Sequence, residues 1–588
     1  MSPHAVSAPH RVSVWRTIAS ARSLRRRRHR LRHRRRPSSS TEGADVLGGL
    51  RVVAEEHGIG LSEAAEMFAD AFPASSGVKL ELRETSCGRG LVATSAIAPG
   101  ETLLSVPWKC SIHVLEDGSD TKDDVRLALE LLRVLNDGGD GEGDPRVAVW
   151  RDYSAMLPIS TGAAAFWTPE NIKELQLEVA VNKTLELRHH FMTSATRHSY
   201  GSASFDEEAE EEEDELGEYE EFDDGGEYDD DLAVGESEEV VGANSGRYSR
   251  EEVLWALGMV HSRSFSVPVP GGRARALVPY CDLFNHRSET PVEALRTDAV
   301  LSRAGGADVA ATNAVEPLDA APLSEPWAVV GLDDDPDAAL FEMRSSWAVD
   351  ADDEVFISYG HETSAELLTS YGFFPQPNAG DFVEVYEDVQ DLLDDDRWVQ
   401  DDSLRLMMEK ESVMWSMLAV DAPLAVRPGG VTASAHLLGC LRLMHVGAEQ
   451  LDCVRDADSP ATGHSTFVWT DGPPGGMWDL DGGVGAEDSD VQAERDAVDA
   501  AALGQAAARC VEMLEEFPTS LDDDEEMLRE LEEAMALRDE DDEDDEDEDE
   551  AIGVMQYVTA VRYRIAVKRI LREFVEGCQE LGVEPSEY

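Results

Sequence analysis

Three hydrogen-bonding side chains lie close together in one apolar stretch of the 588-residue chain. The stretch is Leu277–His286, and it contains Asp282, Asn285 and His286. Burying such side chains is costly unless they have hydrogen-bond partners. Asp282 could cap the start of a helix by accepting backbone N–H groups. The other interpretation is a polar site completed by residues from elsewhere in the chain.

Four further stretches supply candidates for such partners. Gly88–Thr94 is a Gly-rich segment that predicts a strand pair, and Val260–Phe265 reads His-Ser-Arg-Ser-Phe after its first residue. Glu354–Gly360 alternates as a strand does and ends on a Tyr-Gly turn. Ser364–Phe373 has the pattern of a helix. The elements that must position the polar side chains are therefore short strands, each followed by a turn or a helix.

Taken in their order along the chain, these motifs resemble the SET-domain methyltransferases. The closer match is the branch typified by the Rubisco large-subunit methyltransferase. The resemblance covers roughly residues 78–580. It implies an α+β fold, in which a β-rich SET domain with a helical insertion is followed by an all-α substrate-binding domain. It also implies a protein-lysine N-methyltransferase that uses S-adenosyl-L-methionine, acts on a non-histone protein and has no metal site.

The resemblance assigns roles to individual residues. Tyr359 is the expected catalytic residue. The expected cofactor-binding residues are Cys87, Arg89, Arg263, Asp282, Asn285, His286 and Tyr359. The expected substrate-binding residues are Ser262, Arg263, Phe265, Asp282 and Tyr371. Phe265 and Tyr371 fit ordinary core packing equally well, and Gly88 and Gly90 could simply mark a hairpin. His261 is expected to be structural.

Charge restricts the choice of partner. The formal net charge is −71, and the part outside the charged tracts is itself acidic. Such a surface does not favour nucleic acid, so we expect a protein substrate with a reactive lysine side chain. No apolar run reaches the length of a membrane span, and we expect a monomer that does not bind membranes. The seven cysteines show no C-x-x-C spacing, which favours reduced thiols and no zinc site.

The chain divides by composition. Residues 1–45 are predicted to be a disordered Arg-rich leader, residues 46–376 the SET domain, and residues 377–588 the helical domain. The leader is typical of a transit peptide, which indicates a chloroplast location; its Arg cluster also fits a nuclear signal, and a cytoplasmic location is the remaining alternative. Acidic tracts at 206–239 and 539–550 are expected to be solvated insertions. Predicted helices in the last part include 389–424, 434–450, 492–516 and 552–578.

Two other functions fit the same chain. One is a protein-histidine N-methyltransferase of the same fold, although the Ser-Arg-Ser-Phe segment looks more like that of the lysine-directed enzymes. The other is a non-catalytic acidic binding or adaptor protein whose tracts engage basic partners. The presence of Asn285, His286 and Tyr359 argues against the adaptor.

Overall fold

The computed structural model of the chain describes most of the predicted SET and helical regions. The described residues are 59–116, 118, 121–136, 144–199, 247–288, 326–332, 335–360, 362–378, 380–394, 406, 408–410, 412, 423–446, 489–536 and 548–586. The predicted leader, the acidic tract 206–239 and most of the tract 539–550 lie outside these residues. The chain forms two compact units, one made of 1–174, 178–375 and 533–559, the other of 175–177, 376–532 and 560–588.

The N-terminal unit mixes strands and helices. Its strands are β1 (Leu80–Thr85), β2 (Gly88–Ala93), β3 (Thr102–Pro107), β4 (Ile112–Leu115), β5 (Ser264–Val269), β6 (Gly272–Leu277), β7 (Asn285–His286), β8 (Trp327–Val330), β9 (Leu340–Arg344) and β10 (Phe356–Ile357). Its helices are α1 (Leu61–Ala71), α2 (Asp123–Asn136), α3 (Pro145–Tyr153), α4 (Pro169–Lys173), α5 (Glu178–His198), α6 (Arg250–Arg263) and α7 (Ser364–Tyr371).

The strands form several small sheets rather than one large one. β1 and β2 make an antiparallel hairpin, β3-β9-β8 and β4-β6-β5 are three-stranded antiparallel sheets, and β7 pairs with β10 in parallel. Short strands of this kind cannot bury their apolar faces alone, so they share one core with the helices. Leu91, Leu104, Leu131, Leu257 and Phe341 are fully buried members of that core.

Local sequence explains where the site-bearing helices begin and end. Ser249 and Thr363 each form a capping box at the start of α6 and α7. Helix α7 ends at Gly372, which has φ +84°. A Cβ there would lie 2.2 Å from the backbone carbonyl carbon of Gly162, so only glycine fits. This tight contact fixes the chain directly after Tyr371.

The C-terminal unit is mainly helical, as predicted, with one short strand pair. Its helices are α8 (Val389–Asp394), α9 (Ala435–His445), α10 (Ser489–Glu516) and α11 (Leu521–Ala536), and a long helix, α12 (Glu548–Glu580), runs from the first unit into this one. β11 (Val383–Tyr386) pairs with β12 (Leu424–Val426), where the sequence predicted a helix that continued to residue 424. Pro423 and Pro428 flank β12 and disfavour helix there.

Helix α9 packs against α10 in this unit, and Leu437, Leu441, Ala502 and Ala506 are buried there. Among the described helices, none combines the length and the low charge that a membrane crossing would require.

Candidate active site

The parallel pair β7–β10 brings the Asn-His motif beside the Ser-Tyr motif. Asn285 lies opposite Phe356, and His286 opposite Ile357. The backbone N–H of Tyr359 donates to Nδ1 of His286 over 3.0 Å. That bond leaves the proton of the neutral ring on Nε2, which faces Ser288 Oγ at 3.2 Å. Burial lowers the pKa of His286 to about 4, so the ring is neutral at physiological pH.

The side chain of Asn285 ties two more segments to this pair. Its Nδ2 donates to the backbone carbonyl of Arg89 over 3.0 Å and to Oε1 of Glu354 over 2.7 Å. Gly90 lies at the crossing point, where an added Cβ would come within 2.3 Å of the Glu354 carboxylate. The glycine is therefore required by close approach rather than by the hairpin turn. Three distant segments meet at one amide side chain.

A buried ion pair forms the floor of the site. Arg263, at the end of α6, donates from Nη1 to Oδ2 of Asp282 over 2.8 Å, and the Asp282 side chain is only 4% exposed. The hydroxyl of Tyr153 donates to the other carboxylate oxygen. Burial lowers the pKa of Arg263, but the charge of Asp282, the neighbouring Tyr153 and the hydrogen bond to Asp282 together outweigh burial and raise the pKa overall. The helix-cap interpretation of Asp282 is wrong for its side chain, because Arg263 and Tyr153 occupy its two oxygens.

Within the part of the chain that the structure describes, two guanidinium groups at this site have buried N–H groups without an acceptor. They are Nη1 of Arg89 and Nε of Arg263. The second terminal nitrogen of Arg89 donates to the carbonyl of Met156 over 3.3 Å. Burial, and then the charge of Arg263, lower the pKa of Arg89 to about 10, so it stays charged. Buried donors without partners are rare in folded proteins, so this pair is suited to a ligand that brings a carboxylate or another acceptor.

An aromatic cluster borders the polar groups. It consists of His286, Tyr359, Tyr371 and Phe373, and the Tyr359 and Tyr371 ring centroids are 4.9 Å apart. The hydroxyl of Tyr359 donates to the carbonyl of Phe284 over 2.8 Å, which leaves its lone pairs as acceptors. Burial raises the pKa of both phenols, that of Tyr371 to about 12. Neutral aromatic walls of this kind suit an alkyl chain that ends in an amine.

A second group of polar side chains lies elsewhere in the same unit. Asp124 Oδ2 accepts hydrogen bonds from Nε2 of His190 (2.7 Å) and from Nε2 of His261 (2.8 Å), joining α2, α5 and α6. The ligand atoms of the three residues lie within 4.8 Å of one another, a spacing that could hold a metal ion. In this structure they serve one another as hydrogen-bond partners. Burial raises the pKa of Asp124, but the bonds from the two histidines outweigh it and hold the pKa well below its usual range.

Comparison with known proteins now bears on the identity of the chain. Residues 401–571 match the family model described as Rubisco LSMT substrate-binding. The resemblance to the Rubisco large-subunit methyltransferase branch is confirmed.

Two curated relatives are consistent with this resemblance. The "Ribulose-1,5 bisphosphate carboxylase/oxygenase large subunit N-methyltransferase, chloroplastic" of Nicotiana tabacum is 25% identical over 50% of this chain and 47% of its own length. The "[Fructose-bisphosphate aldolase]-lysine N-methyltransferase, chloroplastic" of Arabidopsis thaliana is 23% identical over 49% of this chain and 46% of its own. The chain spans about half the length of these relatives.

Solved structures include the "SET domain of LSMT bound to MeLysine and AdoHcy". It is 17% identical, covering 89% of this chain and 92% of that one, with a TM-score of 0.44. That score is too low to establish a shared fold by itself. The resemblance to the Rubisco branch therefore depends on sequence.

The structure does not bring every predicted site residue to the aromatic cluster. Ser262 donates to the carbonyl of Gly258 within its own helix over 2.7 Å. Phe265 packs in the core, with ring centroids 5.1 Å from Trp327 and 5.4 Å from Phe341. Cys87 lies exposed at the β1–β2 turn, and its backbone N–H donates to Thr85 Oγ1. The roles predicted for Ser262, Phe265 and Cys87 stay predictions.

Three residues at the site were missed by the sequence reasoning. Glu354 begins the strand-like stretch that ends at Tyr359, and its position could have drawn attention. Phe373 follows Tyr371 by two residues and joins the same aromatic cluster. Tyr153 lies 129 residues before Asp282, and no pattern in the sequence connects the two.

Proposed function

We propose that the chain is an S-adenosyl-L-methionine-dependent protein-lysine N-methyltransferase that acts on a non-histone protein. The observation that supports this most is the meeting of the Arg89, Asn285 and Tyr359 segments through one amide and one parallel strand pair. An enzyme that transfers a methyl group needs a donor site and an amine site that share one sheltered place. The relatives named above carry a lysine N-methyltransferase function in their names.

The site fits this cofactor on its own chemistry. The unpartnered N–H groups of Arg89 and Arg263 would hold its amino-acid carboxylate. Asn285 joins the Arg89 carbonyl and Glu354, so it holds this part of the site in place. When bound, the cofactor supplies a methyl group on a positively charged sulfur.

The chain's own residues position the amine. Tyr359 and Tyr371 enclose the alkyl chain of the target side chain, and the Tyr359 hydroxyl accepts a hydrogen bond from the incoming amine because its proton already serves the Phe284 carbonyl. No covalent activation is needed, since the reaction depends on alignment and exclusion of water. His286 keeps Tyr359 in place through its backbone N–H.

The same proposal extends to domains, substrate and location. We infer that 46–376 form the SET domain and 377–588 a domain that docks the protein substrate, with 401–571 matching the substrate-binding family. The relatives are named as chloroplastic and act on the Rubisco large subunit or on an aldolase. A plastid enzyme of central carbon metabolism is therefore the substrate class we propose to test first.

The test is a Tyr359→Phe variant of the full chain. We expect methyl transfer to a lysine peptide or to Rubisco large subunit to fall about 100-fold, because the amine loses its acceptor. Binding of S-adenosyl-L-methionine, measured by calorimetry, should stay within about twofold of the unmodified chain. Tyr386→Phe is the matched control, since that buried hydroxyl meets Gln505 in the other unit.

Two results would contradict the proposal. Full activity of Tyr359→Phe would remove Tyr359 from its role. No binding heat and no thermal shift with saturating cofactor would favour the acidic adaptor instead.

A further inference from the structure

The target lysine must lose a proton before it can be methylated. The inference below concerns the group that accepts this proton, and it depends on the proposed function. Only the neutral amine attacks, while a free lysine with pKa ~10.4 is almost fully charged at neutral pH. Discharging it costs about 4–5 kcal/mol at that pH. Some group beside the aromatic cluster must accept the proton or lead it to solvent.

Two aromatic hydroxyls and one imidazole of the cluster cannot accept it. The phenols of Tyr359 and Tyr371 are neutral because burial raises their pKa, and a neutral phenol is a poor proton acceptor. His286 is neutral, but Nδ1 already accepts the Tyr359 N–H, and Nε2 carries the ring proton. None of these groups offers a basic lone pair to an ammonium ion.

The nearby carboxylate of Asp282 is occupied as well. Arg263 donates to one of its oxygens, and the hydroxyl of Tyr153 donates to the other. Protonating Asp282 would leave the buried Arg263 charge without its counter-ion, at a cost of several kcal/mol. Asp282 is therefore not available as the proton acceptor.

Glu362 differs from all of these. It follows Tyr359 by three residues, and its side chain folds back over Gly360, with Oε1 3.4 Å from the place of a Cβ on that glycine. After burial, the charge of Glu362 is the next cause that raises the pKa of the Tyr371 phenol, so the carboxylate interacts with a member of the aromatic cluster. Gly360 has φ +120°, a conformation that favours glycine and allows this return.

Glu362 also connects to the surface. It is hydrogen-bonded to Glu366 in the first turn of α7. Glu366 in turn accepts a hydrogen bond from Nζ of Lys183 over 2.5 Å, and the Lys183 side chain is half exposed. The backbone N–H of Thr363 holds the second oxygen of Glu366 at 2.8 Å. The two carboxylates thus lead from the aromatic cluster towards the surface, where the ammonium group of Lys183 neutralises the charge of Glu366.

We propose that Glu362 accepts the proton released by the target ammonium ion and that Glu366 passes it on towards solvent. The N–H bond of the ammonium breaks, its electron pair stays on the nitrogen, and the proton forms an O–H bond on Glu362. The neutral amine then takes the methyl group, and the carboxylic acid returns its proton to water. No oxidant, metal ion or further reactant is needed.

The acid strength of the group agrees with this role. Burial, followed by the charge of Glu366 and the hydrogen bond to it, raises the pKa of Glu362 to about 7, while Lys183 lowers it less. A proton acceptor works best when its pKa lies near the working pH. Among the described residues, the titratable groups that interact electrostatically with Glu362 are Glu366, Lys183 and Tyr371.

The experiment compares pH–rate profiles of methyl transfer for the unmodified chain and Glu362→Gln. We expect the variant to lose about 100-fold near pH 7 and to recover as pH rises towards ~10, where the substrate amine loses its proton unaided. Glu362→Asp should restore part of the rate, and Glu251→Gln, an exposed acid on α6, should behave as the unmodified chain. Thermal unfolding and cofactor calorimetry on each variant show that fold and cofactor binding are intact.

A second measurement does not need turnover. Infrared difference spectra of the full chain, with the Glu362→Gln spectrum subtracted, should contain a protonated carboxyl band that titrates near pH 7. Absence of that band overturns the inference, as does a Glu362→Gln profile that matches the unmodified chain. An unmodified chain that binds the cofactor but transfers no methyl group to any lysine overturns the proposed function, and the inference falls with it.

Discussion

Each of the two units buries an aspartate against an arginine, and the two ion pairs are completed differently. In the C-terminal unit, Asp524 accepts from Nε of Arg564 over 2.9 Å, from Thr519 over 2.7 Å and from Nζ of Lys568 over 2.6 Å. Lys568 also donates to the Thr519 carbonyl and to Gln176. In the N-terminal unit, the Asp282 side chain is also largely buried and paired, but its partner Arg263 is 19% exposed and keeps one N–H without an acceptor among the described residues.

The difference separates a structural network from a binding site. A buried charge is tolerated when its partners satisfy it, and the Asp524 network meets that condition from within the chain. The Asp282 network lies beside a second arginine, Arg89, which also has a buried N–H group without a partner. Two like charges with spare donors repel each other, and a bound anionic group would relieve both.

The largest expected effect comes from breaking the completed network. Asp524→Asn leaves the buried Lys568 and Arg564 without their counter-charge, and we expect the free energy of unfolding to fall by about 3–5 kcal/mol. Chemical denaturation of the full chain measures this change. Glu525→Gln is the matched control on the same helix, because its ion pair with Arg569 is exposed and contributes at most about 1 kcal/mol. Equal losses in the two variants would refute the distinction.

The second prediction concerns a buried site group that has no counter-charge. Burial lowers the pKa of His286 from 6.5 to about 4. Above pH 6.5 the ring is neutral in both the folded and the unfolded chain, so its contribution to stability is fully present. As pH falls below that value the unfolded chain takes up a proton first, and about 3 kcal/mol is lost by the time pH reaches 4.

The check compares the unfolding free energy of the unmodified chain with that of His286→Gln between about pH 4 and 7.5. The difference in unfolding free energy between the two should shrink towards acid pH, since only the unmodified chain has the His286 ring, which takes up a proton there. His189→Gln, at an exposed position of α5, should leave the pH dependence unchanged. A constant difference across this range would show that the His286 ring is not held neutral.

Features that depend on neighbouring residues could be predicted from the sequence, and pairings between distant residues could not. Local pattern, turn residues and caps predict the strand that leads to Tyr359 and the capped helix that ends at Tyr371. They also predict the mixed architecture of the first unit. The short strand Leu424–Val426 was missed because its register depends on a partner forty residues away. The pairing of Asp282 with Tyr153 and of Asn285 with Glu354 was missed for the same reason, since a side chain's distant partner leaves no local period in the sequence.

The last prediction concerns the Asp282 network and has the smallest expected effect on stability. Arg89→Met removes one of two neighbouring buried charges but keeps the backbone carbonyl that holds Asn285. We expect stability within about 1 kcal/mol of the unmodified chain, because no satisfied ion pair is broken. Affinity for S-adenosyl-L-methionine should nevertheless fall by about 2 kcal/mol, the scale of one hydrogen bond to a charged group. Calorimetry at constant salt measures the affinity, and Arg83→Met, an exposed arginine of β1, is the control. A variant that unfolds easily yet binds as before would mean that Arg89 belongs to the scaffold, as Arg564 does, and not to the site.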